Sequence, residues 1–213
     1  MAPPQIQDIL AALALRRPVF HSEADFQHAL AWQIQLTHPK ANVRLEKQVS
    51  ADGVRVHLDL LVQEPSYELA IELKYKTRAT TLIHAEETFS LRNQSAQDVG
   101  RHDFLKDIQR LERYTQGHPG STGYAVLVTN DRTYWNLARK TNAVDSEFRL
   151  HEGRVVEGGV TWGAMASAGT KHKREATIML AGKYKMVWSD YSSPGQGNAG
   201  TFRYVLLRVP SDG

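Results

Sequence analysis

Asp59 is followed, after twelve intervening residues, by Glu72-Leu73-Lys74, a set with the residue types of a cation-assisted hydrolytic site. Two carboxylates held roughly 5 Å apart at Cβ on neighbouring strands repel each other unless a cation lies between them. Hard oxygen ligands around open coordination positions favour magnesium (Mg2+), with manganese (Mn2+) as its substitute. Such an ion polarises a phosphate oxygen and lowers the pKa of an attacking water. Lys74, two residues beyond Glu72 in a strand, projects from the same face and can orient that water or stabilise charge developing on the phosphoryl group. An acid-x-Lys triplet arises about once by chance in a chain of this composition, so its meaning depends on where it falls. Glu72-Leu73-Lys74 is the single such triplet here.

The elements that must position these residues can be read from hydrophobic period. Ile6, Ile9, Leu10 and Leu13 recur at helical spacing over 5–16. Ser22 is a good N-cap with Asp25 at the third helical position, and Phe26, Ala29, Leu30 and Ile34 form one stripe up to His38-Pro39. Over 43–76 the period changes to two. Apolar residues alternate with polar ones through Val43–Val49, Val54–Val62 and Leu69–Tyr75, with turns at Asp52-Gly53 and Pro65-Ser66. That pattern predicts a three-stranded antiparallel meander with one apolar and one polar face. Symmetric pairing about Pro65-Ser66 sets Leu60 opposite Ile71, Val62 opposite Leu69 and Leu58 opposite Leu73. On the other face it sets Asp59 opposite Glu72 and His57 opposite Lys74. A two-residue turn at Asp52-Gly53 brings Glu46 beside Asp59.

Residues 78–100 read as irregular and polar, and 101–116 as a helix facing inward through Phe104, Leu105, Ile108 and Leu111. Tyr124–Val128 reads as a buried strand, 131–140 as a short helix, and the chain beyond 148 as β-rich, with strands near Lys183–Trp188 and Phe202–Val209. Ser192–Gly200, rich in Ser, Pro and Gly, is expected to be a mobile loop. Tyr184, Trp188, Tyr191, Phe202 and Tyr204 are expected in the core of the C-terminal strands. The 213 residues fit one domain over 1–213, with its core at about 20–130 and a β-rich elaboration over 148–213.

Hydrophobic residues make up 41% and charged residues 23%, as in an ordinary globular chain. The absence of cysteine excludes disulfides, thiolate metal sites and a cysteine nucleophile, and fits a cytoplasmic location. Asp8 precedes the apolar run Ile9–Leu15 and Arg16-Arg17 follow it, the reverse of a secretory signal. No membrane association is expected. A net charge of +3 is compatible with a polyanionic partner.

Asp59, Glu72-Leu73-Lys74 and the helix that precedes their strands resemble the PD-(D/E)xK nuclease superfamily. The likeness spans 20–130, including the helix at 101–116 and the strand after it. The resemblance implies an α/β, restriction-endonuclease-like fold, a mixed central sheet flanked by helices. It also implies a magnesium-dependent nuclease, with DNA favoured over RNA. Asp59 and Glu72 would bind the metal with the Leu73 carbonyl, Lys74 would assist the nucleophilic water, and Glu23 would be an auxiliary acid. Cutting both strands with one site per chain would call for a homodimer. Leu58 stands where the family's pattern often has proline, and Gln109 and Tyr114 are one residue too far apart for the recombination-exonuclease-like subgroup.

Each of these residues also has a plainer reading. Asp59, Glu72 and Lys74 can be salt bridges on a solvated sheet face, and an acid such as Glu23 is favoured in any first helical turn. Lys76 can be a phosphate contact or plain surface charge. Gln94, Gln97 and Gln109 can line a substrate path or face water, and Lys171, Lys173 and Arg174 can track phosphates or be solvated. The alternative for the whole chain is a non-catalytic nucleic-acid-binding or protein-interaction module that keeps the fold.

Overall fold

The computed structural model describes residues 2–51, 53–140 and 142–211. In α1 (Ile6–Arg16) the side chains at helical spacing, Ile6, Ile9, Leu10 and Leu13, are the buried ones. α2 (Glu23–Thr37) begins where Ser22 is extended and its Oγ accepts the Asp25 N–H at 3.1 Å, which satisfies a donor the helix leaves open. It stops before His38-Pro39, because the residue ahead of a proline is pushed out of the helical region.

The meander forms as β1 (Asn42–Ala51), β2 (Val54–Glu64) and β3 (Tyr67–Lys76). Ala51 pairs with Val54, and Gly53 takes φ 72°, the left-handed conformation of a two-residue turn. Asp52, the other residue of that expected turn, lies outside the described residues. Leu60 pairs with Ile71 and Val62 with Leu69, in the expected register.

Residues 78–100 are more ordered than their polarity suggests. They contain a hairpin, β4 (Thr80–His84) and β5 (Glu87–Leu91), whose Leu82, Phe89 and Leu91 are buried while their neighbours in sequence face solvent. α3 (Gln97–Gly117) starts four residues before the expected 101, because left-handed Ala96 (φ 70°) and not a capping side chain sets its start. α3 is the crossover that lets β6 (Ser121–Thr129) lie parallel to β3.

Beyond β6 the expected helix over 131–140 is replaced by turns, in which Tyr134 N–H bonds the Asp131 carbonyl and Asn136 N–H the Arg132 carbonyl. A 3-10 turn (Ser146–Phe148), β7 (Val155–Val160), α4 (Ala168–Lys171), β8 (Ile178–Lys185), β9 (Trp188–Ser192) and β10 (Phe202–Pro210) complete the chain. The expected strand Lys183–Trp188 is therefore the junction of two strands. Ser192–Gly200 is fastened to the end of β6: Asn130 Nδ2 donates to the Ala199 carbonyl at 2.9 Å and Arg132 Nη1 to Asn198 Oδ1 at 2.6 Å.

The result is a mixed α/β fold with a six-stranded sheet in the order β1-β2-β3-β6-β10-β9. From the C-terminal region, β10 pairs with β6 inside this sheet. One face carries α1 and α2 over Leu60, Val62, Leu69, Ile71 and Leu73. The other carries α3, through Phe104, Leu105, Ile108 and Leu111, together with the β7–β8 hairpin. The meander's expected polar face is thus covered along β3, where Ala70 and Glu72 are buried. Tyr184, Trp188, Tyr191, Phe202 and Tyr204 are buried, as expected of core. Among the described residues no helix is long and apolar enough to cross a membrane.

The start of α3 is held against the turns after β6. A Cβ added at Gly100 would lie 2.3 Å from Tyr134 Oη, and the Tyr134 ring is buried. Alanine would gain about 1 kcal/mol in helix propensity, but displacing a packed ring costs roughly 1–3 kcal/mol. Gly100→Ala is expected to lower the melting temperature in a thermal scan. An unchanged or higher value would show that Tyr134 yields freely.

Candidate active site

The β2–β3 ladder ends at Leu60 and Ile71. The expected pairs Asp59–Glu72, Leu58–Leu73 and His57–Lys74 do not form, because the two strands part there. The cause lies one strand away. In the β1–β2 ladder Leu45 pairs with Leu60 and Lys47 with Leu58, but Glu46, opposite Asp59, is unpaired and has φ 48°. Across this irregularity the side chains change faces: Leu58 packs on the α3 side and Leu60 on the α1–α2 side. Gln27 of α2 braces it, its Nε2 donating to Glu46 Oε1 and to the Asp59 carbonyl, both at 2.8 Å.

Parting the strands leaves backbone donors of β3 without a strand partner, and carboxylates take them. Asp59 Oδ2 accepts the Leu73 N–H at 2.6 Å, and Glu23 Oε2 accepts the Tyr75 N–H at 2.8 Å. Glu23, in the first turn of α2, therefore stands at the fork beside Asp59. Lys76 Nζ is 3.7 Å from Glu23 Oε2.

Glu72 points from the fork toward α3 and is 1% exposed. Its Oε1 accepts Arg110 Nη1 at 2.8 Å, and its carboxyl group also hydrogen-bonds the Asp59 carboxylate. Lys74 Nζ lies 2.6 Å from Asp107 Oδ2 and donates to the Leu73 carbonyl at 3.2 Å. Arg110 Nη2 reaches Asp107 Oδ1 at 3.2 Å. Asp107 and Arg110 had no place in the reading of the sequence. A signal was there for the first of them: Asp107 falls three residues after Phe104 and four before Leu111, on the apolar stripe of α3, where an unpaired acid would be costly.

Four acids, Glu23, Asp59, Glu72 and Asp107, thus meet three cations, Lys74, Lys76 and Arg110. Burial raises the Asp59 pKa, against the Leu73 N–H and Lys74, which lower it. Burial, then Asp107, holds Glu72 well above the ordinary carboxylate range despite Arg110. Asp107 is raised by its burial, with Lys74 and Arg110 opposing. Burial alone would lower Lys74, but Asp107 and then Glu23 outweigh it and hold the ammonium above its usual pKa. Three neighbouring carboxyl groups, Asp59, Glu72 and Asp107, thus resist ionisation, chiefly because they are buried and in part because they face one another.

Other candidate residues lie in structural roles. Gln94 Oε1 accepts the Thr77 N–H at 3.3 Å, Gln97 Nε2 donates to Asp131 Oδ2 at 3.0 Å, and Gln109 is buried with its Nε2 on the Met179 carbonyl at 2.9 Å. None of the three is joined to the carboxylate cluster by a hydrogen bond. His57 pairs with Gln48 in the β1–β2 ladder. Arg174 of the basic cluster is held on Asp103 by two bonds of 2.7 and 2.8 Å.

Among the described residues no three histidine, cysteine or acidic side chains converge as a metal-binding group. Comparison with protein-family models, curated proteins and solved structures finds no match for this chain.

Proposed function

We propose that this chain is a divalent-metal-dependent nuclease of restriction-endonuclease-like architecture, with Asp59, Glu72 and Lys74 as its centre and DNA as its favoured substrate. The observation that carries the reading is a pair of buried carboxyl groups, Glu72 and Asp59, whose ionisation is opposed by burial and which face each other closely enough to share a proton. A hard cation is the simplest group to relieve both. Asp59, Glu72 Oε2 and the Leu73 carbonyl are the atoms that would hold magnesium, leaving positions open for water and phosphate. The ion would polarise the phosphate and make water a better nucleophile.

The chain's own residues supply the rest. Hydrolysis adds water across a P–O bond: the phosphorus keeps the water oxygen, and the leaving oxygen ends with a proton. Lys74, held as a cation by Asp107, offers charge where negative charge grows on the phosphoryl oxygens. Glu23, partly exposed at the fork, is placed to accept a proton from the incoming water.

The ion pairs Arg110–Glu72 and Lys74–Asp107 favour a second reading, a nucleic-acid-binding or protein-interaction module without turnover, since each acid there already has a cation. Thermal melting separates the two. Folding raises the Glu72 pKa, so the metal-free protein loses stability as pH climbs from the unfolded carboxyl value, about 4.3, through the folded one. At pH 8 in EDTA, Glu72→Gln is expected to melt higher than wild type. Magnesium at roughly 100 times its Kd should then stabilise wild type by about 2.7 kcal/mol and leave Glu72→Gln and Asp59→Asn unmoved. An equal magnesium response in all three would place the ion elsewhere and favour the module.

A further inference from the structure

The exposed edge of α3 carries Asp103, Lys106, Arg110 and Arg113, at spacings of three, four and three residues that put them on one face. Asp103 is occupied by Arg174. Of the three cations after it, Arg110 pairs inward with Glu72 and Asp107, and the two flanking it are not neutralised. Lys106 donates to the amide oxygen of Gln109 at 2.7 Å, Arg113 is exposed, and neither enters an ion pair among the described residues. Like charges at these spacings repel. Partial burial, then Arg113 and Arg110, lowers the Lys106 pKa. At one end of the row Lys106 and Lys173 line a single cleft of about 260 Å³. In its middle Arg110 touches both Glu72 and Asp107 and reaches the His57 carbonyl of β2 at 3.5 Å. The row therefore runs directly past the buried acids.

We propose that Lys106, Arg110 and Arg113, extended by Lys173, form a track for the phosphate backbone of a nucleic acid that leads it to the carboxylate fork. The choice of a nucleic acid rests on the nuclease reading of that fork; the row of cations, with Lys106 and Arg113 outside any ion pair among the described residues, is independent of it. Lys106 to Arg113 covers seven residues of helix, roughly 10.5 Å at 1.5 Å per residue. One strand of B-form DNA presents a phosphate about every 3.4 Å of axis, so a row of this length laid along the axis spans about three phosphate intervals. Arg110, partly buried and shared with Glu72, is the junction: its guanidinium can bind a phosphate when a cation takes over Glu72.

The test is fluorescence anisotropy of a short labelled duplex in EDTA over a series of salt concentrations. Wild type is compared with Lys106→Gln/Arg113→Gln and with Lys185→Gln, which removes an exposed charge on β8. The double variant is expected to lower the slope of log K against log salt by about 1.8, roughly 0.9 for each lost phosphate contact. Lys185→Gln should leave the slope unchanged, and the magnesium-induced melting shift should be the same in all three proteins. An unchanged slope in the double variant, an equal change in Lys185→Gln, or no duplex binding by wild type overturns the track. Should wild type fail to respond to magnesium while the double variant still loses slope, the nuclease reading falls and the track stands.

Discussion

Lys74→Ala is expected to lower metal-dependent phosphodiester cleavage roughly a hundred- to a thousandfold, the usual cost of removing one preorganised group that meets transition-state charge. Lys74 is the cation nearest the Leu73 carbonyl, at 3.2 Å, and its charge is fixed by Asp107 at 2.6 Å. Removing it also leaves Asp107, 3% exposed, with Arg110 as its remaining partner. Breaking a buried pair in this way costs about 3–5 kcal/mol, so loss of activity in this variant alone could reflect loss of fold. Lys74→Met/Asp107→Asn removes both charges and keeps the volumes. It should melt near wild type and remain inactive. Cleavage within tenfold of wild type by the double variant would show that Lys74 does not meet the reacting phosphate.

Asp107→Asn should change the pH dependence of cleavage rather than only its size. Burial by itself lowers the Lys74 pKa, and Asp107 is the largest influence that raises it. With the carboxylate gone, burial is opposed only by Glu23 and Asp59, and the ammonium loses its proton at lower pH than in wild type. Wild type should hold its rate into the alkaline range, because Lys74 stays protonated there. The variant should fall away on the alkaline side, by roughly ten- to a hundredfold at pH 9–10, with a smaller loss at neutral pH. A uniform loss at every pH would mark Asp107 as a packing residue and not as the group that positions the charge of Lys74.

Much of the scaffold was legible because local signals agree there. Alternation over Val43–Tyr75, the glycine at 53 and the Ser22 cap each specify their own element, and the register at Leu60–Ile71 follows from burying the apolar face. Asp59, Glu72 and Lys74 could be singled out from their types, spacing and place on strands, and Glu23 from the family resemblance. Their mutual geometry could not, since symmetric pairing continued past Leu60 sets Asp59 opposite Glu72. The strands instead part at Leu60, next to the place where β1 carries a left-handed glutamate, Glu46, a conformation that residue type does not announce, and Gln27 of α2 braces it. Asp107 and Arg110 were missed because their roles arise only when α3 crosses over β3. The hairpin over 80–91 escaped notice because its buried side chains, Leu82, Phe89 and Leu91, are too few to set a period. The last strand was readable as a strand over Phe202–Val209, but not its entry into the central sheet, which depends on pairings across more than seventy residues.

The central claim is that the fork between β2 and β3 uses a divalent metal to cut phosphodiesters. Its most direct measurement is cleavage of labelled single- and double-stranded DNA by wild type and Asp59→Asn, with magnesium, manganese or EDTA. The account predicts cutting that requires the metal and disappears in Asp59→Asn, a variant that keeps the size of the side chain and can still hydrogen-bond. Equal cutting by both proteins, or no cutting of any DNA form by a wild type that folds and binds magnesium, would contradict it.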